Sequence, residues 1–372
     1  MRVTLTDVEV SLLTGLAFAL FVDAIVPLGW EAVLPLAGVN ALSFLAGYLV
    51  FLAPAGLGAR EGAMAVLLRP FAPAGVAAVV AMASRLWTVA AELLGALVIL
   101  AVFLIYPVVN TIIISFGDRQ GDGFVGLDNY EFVFTNEGML RAIRNTAGWI
   151  VFVPLAAVSI GLAFATLADR LRRGEAIAKA LIFLPMAISF VGAAVVWRLV
   201  YSFRPEGFGG NIGLLNGVKQ ALGMSPTPWL QVKPWNNLLL MVIMVWMQVG
   251  FAMVVLSAAI KSIPDEIIEA ARIDGASEWQ VFRRIMVPTI APTIAVVTTY
   301  MVINAMKVFD IVFVIGAAET NQTEVIAERM IAWFFVSNHD GRGAAIAVVL
   351  FVAVIPVMIW NVRRFREQEA AR

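Results

Sequence analysis

The residues of this chain best equipped for chemistry gather in one stretch, EAARIDGASEWQVFRRIMVP, which runs from Glu269 to Pro288. Its groups suit gripping rather than bond-making. Glu269 and Asp274 offer charge to a neighbouring surface, and Ala270, Ala271, Gly275 and Ala276 let a second backbone approach closely. Trp279 and Phe282 are large enough to act as anchors that fill a pocket. Nucleophilic and metal chemistry have little to work with. The 372 residues include no cysteine and a single histidine, His339, which excludes disulfides, thiol catalysis and metal sites built from Cys or His. No G-x-x-x-x-G-K-[ST] phosphate loop is present. No catalytic residue and no metal ligand is expected.

A second set is polar and sits in apolar surroundings: Asn145, Gln248, Asn304 and Lys307, with Asp310 just beyond. Polar groups are expensive in hydrocarbon and usually face a bundle interior or a cavity. Asn304 and Lys307 are three residues apart and so share one helical face. With Trp197, Trp246 and Phe309 nearby, this set has the chemistry to line a path for a polyhydroxylated solute, amides meeting hydroxyls and rings meeting apolar faces. Interhelical hydrogen bonds, worth about 1 kcal/mol each, account for the same residues, and Lys307 and Asp310 would then simply pair. Both readings are open.

The elements that must position these groups follow from composition. Only 14% of the residues are charged and 61% are hydrophobic, against about 25% charged in soluble domains; the mean hydropathy is +0.89. Apolar runs of about 20 residues recur, the length that crosses roughly 30 Å of hydrocarbon. Such runs must be helices, because lipid offers no partner to unpaired backbone groups. The expectation is an all-α, polytopic transmembrane bundle, with crossings near 10–29, 32–53, 93–115, 145–168, 177–200, 237–260, 287–307 and 342–361. The run 75–116 is too long for one straight crossing, so either a break near Glu92–Gly95 or a helix extending beyond the bilayer is expected. The net charge of zero argues neither for a nucleic-acid partner nor for an acidic one, and no nucleic-acid partner is expected. The start lacks a basic n-region and a small-residue cleavage site, so no cleaved signal peptide is expected.

Basic residues at 170–179, 272–284 and 363–372 fall on one side if the last six crossings alternate, which makes that side cytoplasmic. The loops 117–138, 203–235 and 308–341 are then exoplasmic and long enough to form a docking surface or to serve as plain connectors. Within the cytoplasmic stretch, Ser262 with Asp265 fits a capping box, and Ile268, Ala271, Ile273 and Ala276 fall on one face of a short helix. Asp274-Gly275 interrupts the helix, and Ser277 with Gln280 caps a second one. Two short amphipathic helices with a glycine bend suit docking on a separate soluble protein. A helix lying on lipid headgroups through Arg283 and Arg284 is the alternative, which the small residues disfavour.

At this point the residues carry a family resemblance. EAARIDGASEWQVFRRIMVPTIAP resembles the EAA motif of ABC importer permeases at Glu269, Ala270, Ala271, Asp274, Gly275, Ala276, Phe282, Ile285 and Pro288. FLIYPVVNTIIISF (103–116), GLDNYEFVF (126–134), KVFDIVFVIG (307–316), TEVIAERM (323–330) and GRGAAIAVVLF (341–351) are similar to the carbohydrate branch, particularly permeases for α-glucosides. The Gly-rich strip common in that branch is replaced here by GAAETNQ (316–322). The resemblance implies a type I, MetI-like permease core of six helices over residues 93–372, in a bacterial cytoplasmic membrane. It implies a carbohydrate importer working by alternating access. The partners it implies are a second permease subunit, two cytoplasmic ABC ATPase subunits that hold ATP and Mg, and an extracytoplasmic solute-binding protein. The chain would carry no cofactor and no ATPase site of its own, and Glu269, Asp274, Trp279 and Phe282 would meet the ATPase groove.

Residues 1–92 stand apart. FLAPAGLGAREGAMAVLL (51–68) and ASRLWTVAAELLGAL (83–97) resemble the end of the lysylphosphatidylglycerol-synthase flippase-type membrane family. Gly56, Gly58 and Gly62 would permit a re-entrant turn between two spans, and Arg60, Glu61, Arg85 and Glu92 could pair inside the protein, with Asp23 a further candidate partner. Three functions therefore remain open: a permease subunit, a lipid flippase-type or lipid-modifying membrane protein, and an ion-driven secondary transporter.

Overall fold

In the computed structural model the described residues are 5–49, 58–169, 171, 174–205 and 213–370. Among them helix is the regular structure, joined by turns and loops, with one isolated antiparallel bridge between Gly117 and Phe124. The chain divides into two compact units, Met1–Pro107 and Val108–Arg372.

The first unit contains α1 (Leu5–Asp23), α2 (Val33–Leu49), α3 (Ala59–Leu67) and α4 (Ala74–Leu100). Phe18, Val22, Leu36, Met64, Leu68 and Val80 form its core. The helix α1 stops at Asp23, short of the expected crossing, because that carboxylate leaves any intramembrane pairing aside. It accepts the N–H groups of Leu28 (2.8 Å) and Gly29 (3.0 Å) and so closes the following turn. Of the expected charge pairs, Glu61 and Arg85 approach to 3.7 Å, and buried Arg60 lies 3.5 Å over the Phe44 ring. Gly58 opens α3 at φ +85° and donates its N–H to Glu61 (2.8 Å). The rest of the anticipated re-entrant turn, including Gly56, lies outside the described residues. Helical structure passes through Glu92–Gly95 without a break. One π turn (Ala101–Ile105) leads on to α5 (Tyr106–Ile114).

The second unit continues with α6 (Asp128–Thr135), α7 (Glu137–Ala168), α8 (Glu175–Phe183), α9 (Phe190–Val200) and α10 (Leu214–Ala221). Then come α11 (Trp235–Lys261), α12 (Asp265–Ile273), α13 (Glu278–Val281), α14 (Val287–Thr289) and α15 (Ala291–Met306). Four more close the chain: α16 (Asp310–Ile315), α17 (Ala318–Asn321), α18 (Ile326–Ile331) and α19 (Asp340–Ala370). α7 and α11 pack along each other at the centre, with Trp149, Val153, Met244, Met253 and Leu256 in the core. The approach is close because Gly161 faces Ala252, leaving no room for a side chain there. Gly250 likewise lies against the backbone of Ile182 and Phe183.

Four stretches are long and apolar enough to cross a membrane: Trp30–Leu49, Ala74–Ile114, Glu137–Ala168 and Trp235–Lys261. Two bent pairs add up to two more, Glu175–Ala187 with Phe190–Val200 at 99° and Glu278–Thr289 with Ala291–Met306 at 69°. The first bend falls at Ile188–Ser189, where the backbone turns extended after the short turn Leu184–Ala187. Ser189 then caps α9 by accepting the N–H of Gly192 (3.1 Å). The second falls between Pro288 and Pro292.

Candidate functional site

The Glu269–Pro288 stretch forms two short helices, α12 and α13, joined by a turn whose chemistry is local. Gly275 sits at φ +83°, the left-handed region that a residue with a Cβ enters at a cost. Its N–H bonds Arg272 O (3.0 Å), and the N–H of Ala276 bonds Ala271 O (3.0 Å). These are the two bonds of a Schellman motif, which satisfies carbonyls at the end of α12. The expected second cap is present. Ser277 N–H donates to Gln280 Oε1 (2.7 Å), and Gln280 N–H returns a bond to Ser277 Oγ (3.4 Å). The expected first cap is not. Ser262 Oγ donates to Ala259 O (2.7 Å), its hydroxyl spent on closing α11, and α12 starts after Pro264 with no side-chain cap.

Arg272 Nε bonds Glu278 Oε1 at 2.9 Å across the bend and ties the two helices together. That carboxylate holds the guanidinium more firmly protonated than usual. Ile268, Ala271 and Ala276 are half-buried, whereas Ile273 departs from the expected apolar face and is 85% exposed. Glu269, Ala270 and Asp274 are exposed. Trp279 is 65% exposed and stacks on Phe282, with ring centroids 5.4 Å apart. Behind the pair, a cleft of about 830 Å³ opens among α7, α11, α12 and α13. Large apolar groups thus project from an element otherwise suited to water, which is what a surface awaiting a protein partner looks like.

A charge cluster that the sequence did not reveal sits at the end of α11, just ahead of α12. Lys179 bonds Asp169 (2.7 Å) and Glu175 (2.6 Å), and also Ser257, while Lys261 joins Glu175. The cluster ties the cytoplasmic ends of α7, α8 and α11. The Glu175–Lys179 spacing was a legible i,i+4 pair, but the reach to Asp169 and Lys261 depends on tertiary packing.

Of the seven residues expected along a solute path, the structure brings four together. Asn304, Lys307, Phe309 and Asp310 line a cavity of about 190 Å³ where α15 gives way to α16, joined there by Phe190 and Met244. Phe190 follows the bend of the α8–α9 pair, so the broken helix delivers a ring to the same spot. Asn304 donates to Tyr300 O (2.8 Å). The other three lie elsewhere. Trp197 meets Trp246 edge-on at 5.7 Å in a separate apolar depression. Gln248 is buried in α11, and its Oε1 has no hydrogen-bond partner among the described residues. Asn145 is spent on a clasp, donating to Gln322 O (3.0 Å) and Glu324 O (2.9 Å).

That clasp holds the exoplasmic loop between α16 and α18. Thr146 accepts the N–H of Ile326 (3.0 Å), Asn236 donates to Asn321 O (2.6 Å), and fully buried Glu324 pairs with Arg329 (3.1 Å) and Arg141 (3.4 Å). Beside it, burial pushes the Glu328 carboxyl above its ordinary value, against the pull of Arg329. The first exoplasmic loop is tied to the last one. Arg119 donates to Ser337 O (2.9 Å) and Asn338 O (3.2 Å), and Asp340 N–H returns to Arg119 O (2.8 Å). Among the described residues, these two loops are therefore held together by hydrogen bonds.

Comparison with known proteins adds the following. The profile of a family described as "binding-protein-dependent transport system inner membrane component" matches residues 157–363. The chain is 52% identical over 277 residues to the osmoprotective compounds uptake permease protein GgtC of Synechocystis sp., covering 74% of this chain and 98% of that protein. It is 49% identical over 269 residues to the alpha-glucoside transport system permease protein AglF of Rhizobium meliloti, covering 72% of this chain and 79% of that protein. Among solved structures it is similar to a bacterial ABC transporter involved in the import of the acidic polysaccharide alginate. The TM-score is 0.64 at 25% identity, over 75% of this chain and 96% of that one.

Proposed function

The chain belongs to the family of binding-protein-dependent transport system inner membrane components, and from that premise we propose that it is the permease subunit through which a carbohydrate, an α-glucoside or a small oligosaccharide, enters the cell. It is a multi-pass protein of the cytoplasmic membrane with a MetI-like fold, and a transport component that works with partner proteins. The relatives do not favour the lipid-handling alternative.

The observation that carries the reading is the bent handle. The α12–α13 element is held rigid by its own hydrogen bonds and by Arg272–Glu278, while it offers Ile273 and Trp279 to a partner at the end of the most buried span. An ATPase subunit gripping this element moves α11 with it. Two such subunits, holding ATP and Mg, close on each other during the cycle, and the movement reaches the bundle as a rigid-body shift. A second permease completes the pathway, and a solute-binding protein delivers cargo to the exoplasmic loops. This subunit itself hydrolyses nothing. Asn304, Lys307 and Asp310 meet the hydroxyls, and Phe190 and Phe309 meet the apolar faces of the sugar.

The test is uptake by the full complex in proteoliposomes. Glu269→Lys or Gly275→Pro should abolish ATP-dependent α-glucoside uptake, while the solute-binding protein still binds the sugar. Normal uptake by both variants would overturn the docking role. Uptake of amino acids in place of sugars would overturn the cargo.

A further inference from the structure

The helix α10 is built inside out. It lies in the exoplasmic loop between α9 and α11, and two of its polar residues, Asn216 and Lys219, point into the protein. Buried Asn216 spends its side chain fully: Nδ2 donates to Ser202 O (2.9 Å) and Thr227 O (3.0 Å), and Oδ1 accepts from Thr227 N–H (2.9 Å) and Trp229 Nε1–H (3.1 Å). Lys219 turns the same way, reaching Thr227 Oγ1 and lying 5.4 Å from the Trp229 ring centroid. Leu215 packs against the core, but three apolar residues point out: Leu214 is 64% exposed, Val218 52% and Leu222, at the C-cap, 68%. Spaced at i, i+4 and i+8, they form one continuous stripe. In water this arrangement is the reverse of what an amphipathic helix adopts.

The surroundings say what covers the stripe. Asn216 ties α10 to Ser202, directly after Tyr201 caps α9, and to Thr227 and Trp229, just ahead of the start of α11 at Trp235. The helix is thus fastened at the level where two membrane-spanning elements leave the bilayer. Trp235, 62% exposed, stands at that level, as aromatic side chains do at a membrane interface. Exposed Arg198 and Lys233 flank it, and long basic side chains at span ends reach the headgroup layer. The exposed apolar side chains of α9, Val195 and Leu199 among them, run toward the same end.

We propose that α10 is an interfacial helix seated in the exoplasmic leaflet, with Leu214, Val218 and Leu222 among phospholipid acyl chains and Arg198 and Lys233 at the phosphates. The Asn216 clasp then ties the bent α8–α9 span and the head of α11 to the lipid surface, so that the two cannot separate vertically during transport. Nothing in this depends on which solute is carried.

The experiment uses the complete transporter in nanodiscs of phosphatidylethanolamine and phosphatidylglycerol, carrying the photo-crosslinking residue p-benzoylphenylalanine in place of Val218 or Leu222. Irradiation should shift the mass of this chain by one phospholipid, with and without the solute-binding protein. In place of Gln220, which points away from the stripe, the same residue should yield little lipid adduct. Cross-linking of positions 218 and 222 to the second permease or the solute-binding protein would overturn the proposal, as would equal lipid labelling at all three positions. Should a benzophenone disturb the loop, a nitroxide on Val218→Cys gives an independent reading. It should be relaxed by dissolved oxygen and shielded from a water-soluble nickel chelate, and free access of the chelate refutes lipid cover.

Discussion

Substituting Gly275 tests the handle most directly, because its cost can be worked from the structure. The residue lies at φ +83°, and a Cβ added there would meet no atom within 4 Å. Gly275→Ala therefore introduces no clash, only backbone strain, about 1–2 kcal/mol for a left-handed residue with a Cβ. The two Schellman bonds exist only while that conformation holds, so the strain lowers the population of the closed turn by about five- to thirtyfold. Both flanking helices are largely exposed, so the spans should be indifferent and the thermal midpoint of the purified protein unchanged. Gly275→Asn, which tolerates the left-handed region better, should recover much of the loss. Gly275→Pro should be worst, since it fixes φ near about −65° and deletes the N–H that bonds Arg272 O. The assay is sugar-stimulated ATP hydrolysis and uptake by the reconstituted complex, with co-purification of the ATPase subunits as a measure of docking. A series in which Ala performs like Gly, or Asn fails as badly as Pro, refutes the view that the bend geometry is what the partner grips.

Trp279→Ala should weaken ATPase binding by about 2 kcal/mol or more, as exposed aromatic anchors do, and leave the permease's own thermal midpoint in place. Lys179→Met removes the cation that Asp169 and Glu175 share and leaves them only Lys261; a lower thermal midpoint in detergent is expected. Asn145→Ala strips donors from the Gln322 and Glu324 carbonyls, at about 1–3 kcal/mol, and should cost stability with little change in the KM for sugar. Asn304→Ala and Lys307→Met should do the opposite, raising KM at nearly unchanged stability. The Glu328 carboxyl is held above its ordinary 4.5 by burial, so the folded state binds its proton more tightly than the unfolded chain does. Its contribution is fully present below pH 4.5 and is lost as pH rises through the raised value. Glu328→Gln should accordingly raise the thermal midpoint at pH 8 and leave it nearly unchanged at pH 4.

The parts of the site that were legible are those whose cause is local. A glycine after an aspartate at the end of an amphipathic turn needs positive φ, and a serine three residues before a glutamine caps a helix; both held at Gly275 and Ser277 without reference to the rest of the fold. Ser262 satisfied the same capping pattern and was drawn instead to Ala259 O, because the end of α11 reaches its hydroxyl first. Lys307, Phe309 and Asp310 are near neighbours in sequence and converge on one cavity with Asn304, one turn away. Asn145 has the same amide as Asn304, yet it faces a loop nearly two hundred residues on. Nothing in its immediate sequence separates the two roles.

From the sequence alone came the membrane location, the helical class and the existence of the bent handle. Each follows from a rule that acts over a few residues or a single span: backbone groups in lipid must bond within their own helix, and left-handed turns favour glycine. The tertiary structure alone settled where polar side chains spend their hydrogen bonds. The Lys179–Asp169–Glu175–Lys261 cluster, the Asn145 clasp and the inward turn of Asn216 and Lys219 all join distant segments. A buried donor takes whichever acceptor the packed helices place within about 3 Å, and that choice exists only once the chain has folded.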